Sequence, residues 1–144
     1  MGAPIGVAQY LELVLSGLPT PTVREVALAD ALGCVLADEA AAALHSPGFD
    51  NAAMDGYAMR SADAASAAPT APVRLAVVAD LPAGGAPARR IGPGEAARIM
   101  TGAPIPDGAD AVVPVERTDG GTATVAVLEP AAPGAHIRRR GSDA

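Results

Sequence analysis

Apolar residues at Val7, Tyr10, Leu11, Val14 and Leu15 recur at spacings of three and four. That spacing places them on one face of a helix, predicted over residues 5–18 and stopped by Gly17 and Pro19. From residue 23 the pattern changes. Val23, Val26 and Leu28 alternate enough for a strand over 23–28, residues 29–32 read as a helical turn ended by Gly33, and a further strand is expected from Val35. Residues 50–55 read as loop and 57–60 as a short strand. Residues 64–72 are Ala, Ser, Thr and Pro, a composition expected of a mobile surface connection.

Beyond this point short strands follow closely. They are predicted at 73–79, 96–100, 111–115, 122–128 and 135–139, with a turn at 84–87 and a hairpin signal at Asp119-Gly120-Gly121. The pattern predicts an α+β chain: an early helix and strand, then an all-β unit that is barrel-like or a coiled mixed sheet. The expected division is 1–50, 51–134 for the β unit, and 135–144.

Composition sharpens this. Half of the 144 residues are hydrophobic, but much of that share is Ala, and only 2% are aromatic, so Val, Leu, Ile and Ala must fill the core. The 14 Pro and 16 Gly favour many short elements over a helical bundle. Every basic side chain is Arg, and the net charge is -6, which argues against non-specific binding to nucleic acid. Cys34 is the single cysteine, so no intrachain disulfide forms; its neighbours Gly33, Val35 and Leu36 suggest a small buried hydrophobe. No apolar run approaches the roughly 18 residues of a spanning helix. The N-terminus lacks the basic start and apolar stretch of a signal peptide. The expectation is a cytoplasmic protein with no membrane partner.

Candidate chemistry concentrates in residues 46–60, which hold Asp50, Asp55, the chain's one Phe and one of its two Tyr. On residue type alone, Asp50 and Asn51 cap turns and Asp55 accepts backbone N–H groups. A carboxylate pair acting in hydrolysis is the other residue-level reading of Asp50 and Asp55. Thr101 either satisfies its own turn or offers a hydroxyl and backbone N–H to an oxyanion. Arg138, Arg139 and Arg140 are either a solvated charge run or a bidentate anion contact. Asp110 and Glu116 read as structural. The Gly-rich residues 84–94 lack the Gly-Lys-Ser/Thr of a P-loop, and His45 and His136 have no partners at zinc spacing.

Residues 46–60, Ser-Pro-Gly-Phe-Asp-Asn-Ala-Ala-Met-Asp-Gly-Tyr-Ala-Met-Arg, resemble the Pro-x-Phe-Asp-x-Ser/Asn-x-Met-Asp-Gly-Tyr-Ala signature of molybdopterin molybdenumtransferases, the family of MoeA and the gephyrin E domain. Arg98-Ile99-Met100-Thr101-Gly102-Ala103-Pro104-Ile105-Pro106 with residues 108–113, and Ile137-Arg138-Arg139-Arg140-Gly141-Ser142-Asp143, repeat the resemblance in the family's order. Ser142 departs from the family's Glu before the final Asp.

The resemblance implies an elongated mixed α/β domain interrupted by an inserted β domain. It implies an enzyme of molybdenum cofactor biosynthesis that inserts molybdenum from molybdate into adenylylated molybdopterin and releases AMP with Mg²⁺. Asp55, Asp143 and Thr101 would be catalytic, with Asp55 and Asp143 around Mg²⁺ and pyrophosphate, and Arg138, Arg139 and Arg140 an anion contact or interface brace. A homodimer is implied, as is contact with the upstream molybdopterin adenylyltransferase. Because family chains continue into further domains, this region alone is expected to lack transferase activity. The alternative is a non-catalytic dimerisation or scaffold module.

Overall fold

The computed structural model describes residues 5–144, so the first four residues of the expected 1–50 segment lie outside it. The chain divides into two compact units, one up to Ala41 and one spanning Ala42–Ala144.

In the first unit the predicted helix is present as α1, Val7–Ser16, with Gly17 at its C-cap. None of its residues is buried, and its apolar face, including Val7, Tyr10, Leu11 and Val14, is exposed. A 3-10 turn follows at Leu28–Asp30, and Gly33 has φ +85, in agreement with the turn expected there. The strands expected at 23–28 and from Val35 are absent. Their side chains have no sheet to pair with: Val23, Val35 and Leu36 are all exposed. Cys34, expected to be buried, is exposed for the same reason, because no described residue of this unit is buried.

The second unit holds a mixed sheet and a two-stranded ribbon, an α+β arrangement for the chain as expected. Its strands are β1 (Asn51–Ala52), β2 (Gly56–Met59), β3 (Val73–Leu81), β4 (Glu95–Ile99), β5 (Ala111–Pro114), β6 (Thr124–Val127) and β7 (Ile137–Arg138). The sheet runs β5-β2-β4-β3-β6, with only β3 and β4 parallel, and β1 pairs with β7.

Both faces of the sheet are covered. Tyr57, Met59, Leu75, Ala96, Val113, Val125 and Val127 form one core. Ala58, Leu81, Ala97, Ile99 and Val112 form the other, with Ala52, Ile91 and Ala103 packed over them. Two buried faces explain why β2 and β5 read as continuous apolar runs rather than alternating ones. On β3 an unbroken alternation would put Leu75 and Leu81 on the same side. A bulge between Val77 and Ala79 shifts the register, so Leu75 enters one core and Leu81 the other.

Residues 64–72 are not the free connection their composition predicts. A 3-10 turn, Ser61–Ala64, begins the segment, and Ala64 and Ala67 are buried in the first core. Small side chains fit there where larger ones would be excluded. The Asp119-Gly120-Gly121 turn does reverse the chain, but β6 pairs with β3 rather than with β5. The turn instead joins residues 117–119 to 126–128, through Asp119 N–H to the Ala126 carbonyl and Leu128 N–H to the Arg117 carbonyl. The Asp119 carboxylate accepts from the Ala126 and Gly121 N–H groups, which hold its pKa below the ordinary value. Among the described residues no helix is long and apolar enough to cross a membrane.

Candidate functional site

β2 and β4 are antiparallel, with Gly56 opposite Ile99. Asp55, just before β2, and Thr101, just after β4, therefore emerge at the same end of the sheet. Thr101 donates its backbone N–H and its hydroxyl to Oδ1 of Asp55, each at 2.7 Å. These bonds, the hydroxyl's foremost, hold the Asp55 carboxyl below its ordinary pKa against the opposing effect of desolvation, and the charge of Arg98 adds to the lowering. Oδ2 of Asp55 accepts no hydrogen bond from the described residues. The carboxylate is thus ionised at neutral pH, fixed through one oxygen and free at the other.

Gly56 is what allows this placement. A Cβ there would lie 2.0 Å from the Val113 carbonyl oxygen of β5. The glycine that follows Asp55 lets β5 close directly onto the start of β2, and the Val115 N–H then bonds the Asp55 carbonyl.

The segment just before Asp55 is a junction. β1, expected only as loop, pairs Asn51 with Arg138 and Ala52 with Ile137 on one side. On its other side Asn51 bridges to Pro104, and the Ala52 N–H bonds the Ala103 carbonyl at 3.0 Å. The three signature segments, distant in sequence, lie side by side. Asp50 fastens the last of them: its Oδ2 accepts from Arg139 Nη1 at 2.6 Å and its Oδ1 from the Arg140 N–H at 2.8 Å. The Arg140 N–H and then Arg139 hold the Asp50 carboxyl below its ordinary pKa. Further along, the Gly141 N–H bonds the Pro47 carbonyl and the Asp143 N–H bonds that of Ser46.

Each residue of the arginine run has a separate situation. Arg138 pairs with Oδ2 of Asp143, whose Oδ1 accepts from the Ser142 hydroxyl at 3.2 Å. Arg139 pairs with Asp50. The Arg140 guanidinium has no ion-pair or hydrogen-bond partner among the described residues. Asp55 with Thr101 and Asp143 with Arg138 form two centres, and no hydrogen bond among the described residues joins them. Asp110 accepts from both the N–H and the hydroxyl of Ser61, a structural role in line with its reading.

Arg98 was not among the candidates. It stands opposite Tyr57 on β4, and its Nη1 is 3.7 Å from Asp80 Oδ2. The available signal was its place at the head of the second signature segment, two residues from Ala96 in strand alternation.

Among the described residues no group of three or more His, Cys, Asp or Glu side chains gathers to hold a metal ion. Mg²⁺ needs no such cage when phosphate oxygens and waters complete its shell, since one or two carboxylates suffice. The free Oδ2 of Asp55 fits that requirement. Asp143 fits it only by exchanging its contact with Arg138.

The family model described as the MoeA N-terminal region (domain I and II) matches residues 5–144. A molybdopterin molybdenumtransferase 2 of Mycobacterium tuberculosis is 53% identical over 118 residues, covering 82% of this chain and 29% of that protein. A molybdopterin molybdenumtransferase of Bacillus subtilis is 41% identical over 123 residues, covering 83% of this chain and 29% of that protein. Among solved structures, a molybdopterin biosynthesis moeA protein from Pyrococcus horikoshii OT3 superposes with a TM-score of 0.73 at 38% identity, over 83% of this chain and 32% of that one. This chain spans about a third of the length of the relatives it matches.

Proposed function

The chain belongs to the family of the MoeA N-terminal region (domain I and II), and from that membership we propose that it supplies half of the active site of a molybdopterin molybdenumtransferase acting in the cytoplasm. The reaction would be insertion of molybdenum from molybdate into adenylylated molybdopterin, with release of AMP. The observation that carries this reading is the convergence of the three signature segments around β1, with Asp55 fixed by Thr101 at their margin.

In this reading Thr101 holds the Asp55 carboxylate through Oδ1 and leaves Oδ2 as the oxygen that would hold Mg²⁺. Bound there, Mg²⁺ would neutralise charge on a phosphoanhydride and orient it for cleavage. Arg140, whose guanidinium is unengaged, is the side chain of the run best placed to take a phosphate oxygen. Arg139 braces Asp50 and so holds the last segment in place. Arg138 and Asp143 form a pair, and Asp143 would offer a carboxylate to the ion only in place of that pair.

The work is that of a homodimer that meets the upstream molybdopterin adenylyltransferase. The exposed apolar face of α1 supports self-association. These 144 residues are expected to bind without turning over, given the share of their relatives that they match.

The reading is tested by titrating adenylylated molybdopterin into the chain with and without Mg²⁺, and by following AMP release when molybdate is added. Mg²⁺-dependent binding that is lost in Asp55→Asn and Asp143→Asn is the expected result. A chain that dimerises in a light-scattering dilution series but ignores AMP, Mg²⁺ and molybdopterin would be a scaffold module instead.

A further inference from the structure

Arg98 is a permanent charge near the end of β4, at the end of the sheet where Asp55 precedes β2. Three observations define its position. Arg98 lies directly across from Tyr57 in the β2–β4 pair, and Asp55 precedes Tyr57 by two residues, so strand alternation sends Asp55 and Arg98 toward the same side of the sheet. Asp80, its partner on β3, touches it at 3.7 Å, beyond the 2.7–2.9 Å of a charge-assisted hydrogen bond. Both side chains of that pair are about half or more exposed, at 47% for Arg98 and 64% for Asp80.

A loose, solvated pair of this kind holds its arginine weakly. An ionised Asp55 alone would repel a phosphate. With Arg98 on the same side and at the same end of the sheet, that end presents a carboxylate for a metal ion and a guanidinium for the anion that the ion accompanies.

We propose that Arg98 is a ligand-binding residue of the Asp55–Thr101 site, taking a phosphate oxygen of a pyrophosphate-containing substrate, and that Asp80 is its resting partner, which competes with that substrate. The inference rests on the half-site reading above and adds to it a specific residue and a competitor.

The probe is inorganic pyrophosphate with Mg²⁺, titrated calorimetrically into the chain at low ionic strength. Arg98→Gln is expected to weaken binding about tenfold or more, with Arg98→Lys intermediate because a point charge replaces a fork. Asp80→Asn is expected to tighten it about two- to fivefold by freeing Arg98. An arginine acting only through its charge would leave Arg98→Lys at wild-type affinity, whereas loss in Arg98→Lys marks a direct guanidinium contact. If Arg98→Gln binds like the wild type while Asp55→Asn abolishes Mg²⁺ dependence, Arg98 is excluded and the half-site reading stands. If the wild-type chain does not bind Mg²⁺-pyrophosphate, both are overturned. Should Arg98→Gln fail to fold, Asp80→Asn decides alone, and unchanged or weaker binding overturns the proposal.

Discussion

Thr101 grips a single oxygen of Asp55 twice, through its amide and through its hydroxyl, each at 2.7 Å. The amide contact survives substitution at position 101 by any residue but proline, whereas the hydroxyl contact needs a residue that keeps the hydroxyl, as serine does. Thr101→Ala is therefore expected to lower Mg²⁺-dependent pyrophosphate affinity about tenfold, with Thr101→Ser restoring most of it. Equal losses in the Ala and Ser variants would show that the hydroxyl is not what orients the carboxylate.

Acid should destabilise the fold in a defined window. Asp50, Asp55, Glu95 and Asp119 all have carboxyl pKa values lowered in the folded chain. Each binds its proton less tightly when folded, so its contribution is fully present above the unfolded-chain values of about 4 and is lost as pH falls through the lower folded values. The urea midpoint should hold steady between about pH 7 and 5 and drop below about pH 4. Asp50→Asn should make that drop shallower. A midpoint that rises on acidification would contradict the assignment.

Gly56→Ala tests how tightly β2 and β5 approach. The added methyl would sit 2.0 Å from the Val113 carbonyl oxygen, a backbone atom that can move only if the strand pair opens. A loss of about 3 kcal/mol or more is expected in urea unfolding, large for so small a change. A loss under about 1 kcal/mol would mean that the strands adjust freely.

The bulge on β3 makes a prediction about additivity. Leu75 and Leu81 belong to the same strand but to opposite cores, and both are nearly inaccessible. Leu75→Ala and Leu81→Ala should each cost about 2–5 kcal/mol. In a double variant, if it still folds, the losses should add to within about 0.5 kcal/mol, because the sites share no cavity. Strong coupling would place both leucines in one core.

Much of the central sheet was legible in the sequence. The strands now seen as β2 to β5 came through because each is a short apolar run bounded by Gly, Pro or charged residues. Their order was not legible: no local pattern states that β2 lies between β5 and β4. The strand expected at 23–28 failed because alternation records only a capacity for burial, and Val23 is exposed among the described residues. β1 was missed because two residues carry no period; what fixes them is contact with segments far along the chain.

At the site, residue type alone anticipated that Asp55 would accept a backbone N–H, and the donor is Thr101. The arginine run divided as an extended chain would, one side chain to Asp143 and the next to Asp50. Arg98 escaped notice because its importance is positional. A lone arginine on a strand looks like any solvated side chain until its cross-strand neighbours are known.

The shortness of β1 also governs where the chain can change length. Asn51 and Ala52 sit between Ile137–Arg138 and residues 103–104 and act as a pin for all three. Residues 82–90 contribute no strand to the sheet, so lengthening them extends a connection and disturbs no pairing. One residue inserted between Ala52 and Asp55 would leave the pin seated and carry Asp55 out of step with Thr101. Related chains should therefore drift in length across the first of these stretches and keep the second fixed, a pattern of gaps that maps the site without reference to any side chain.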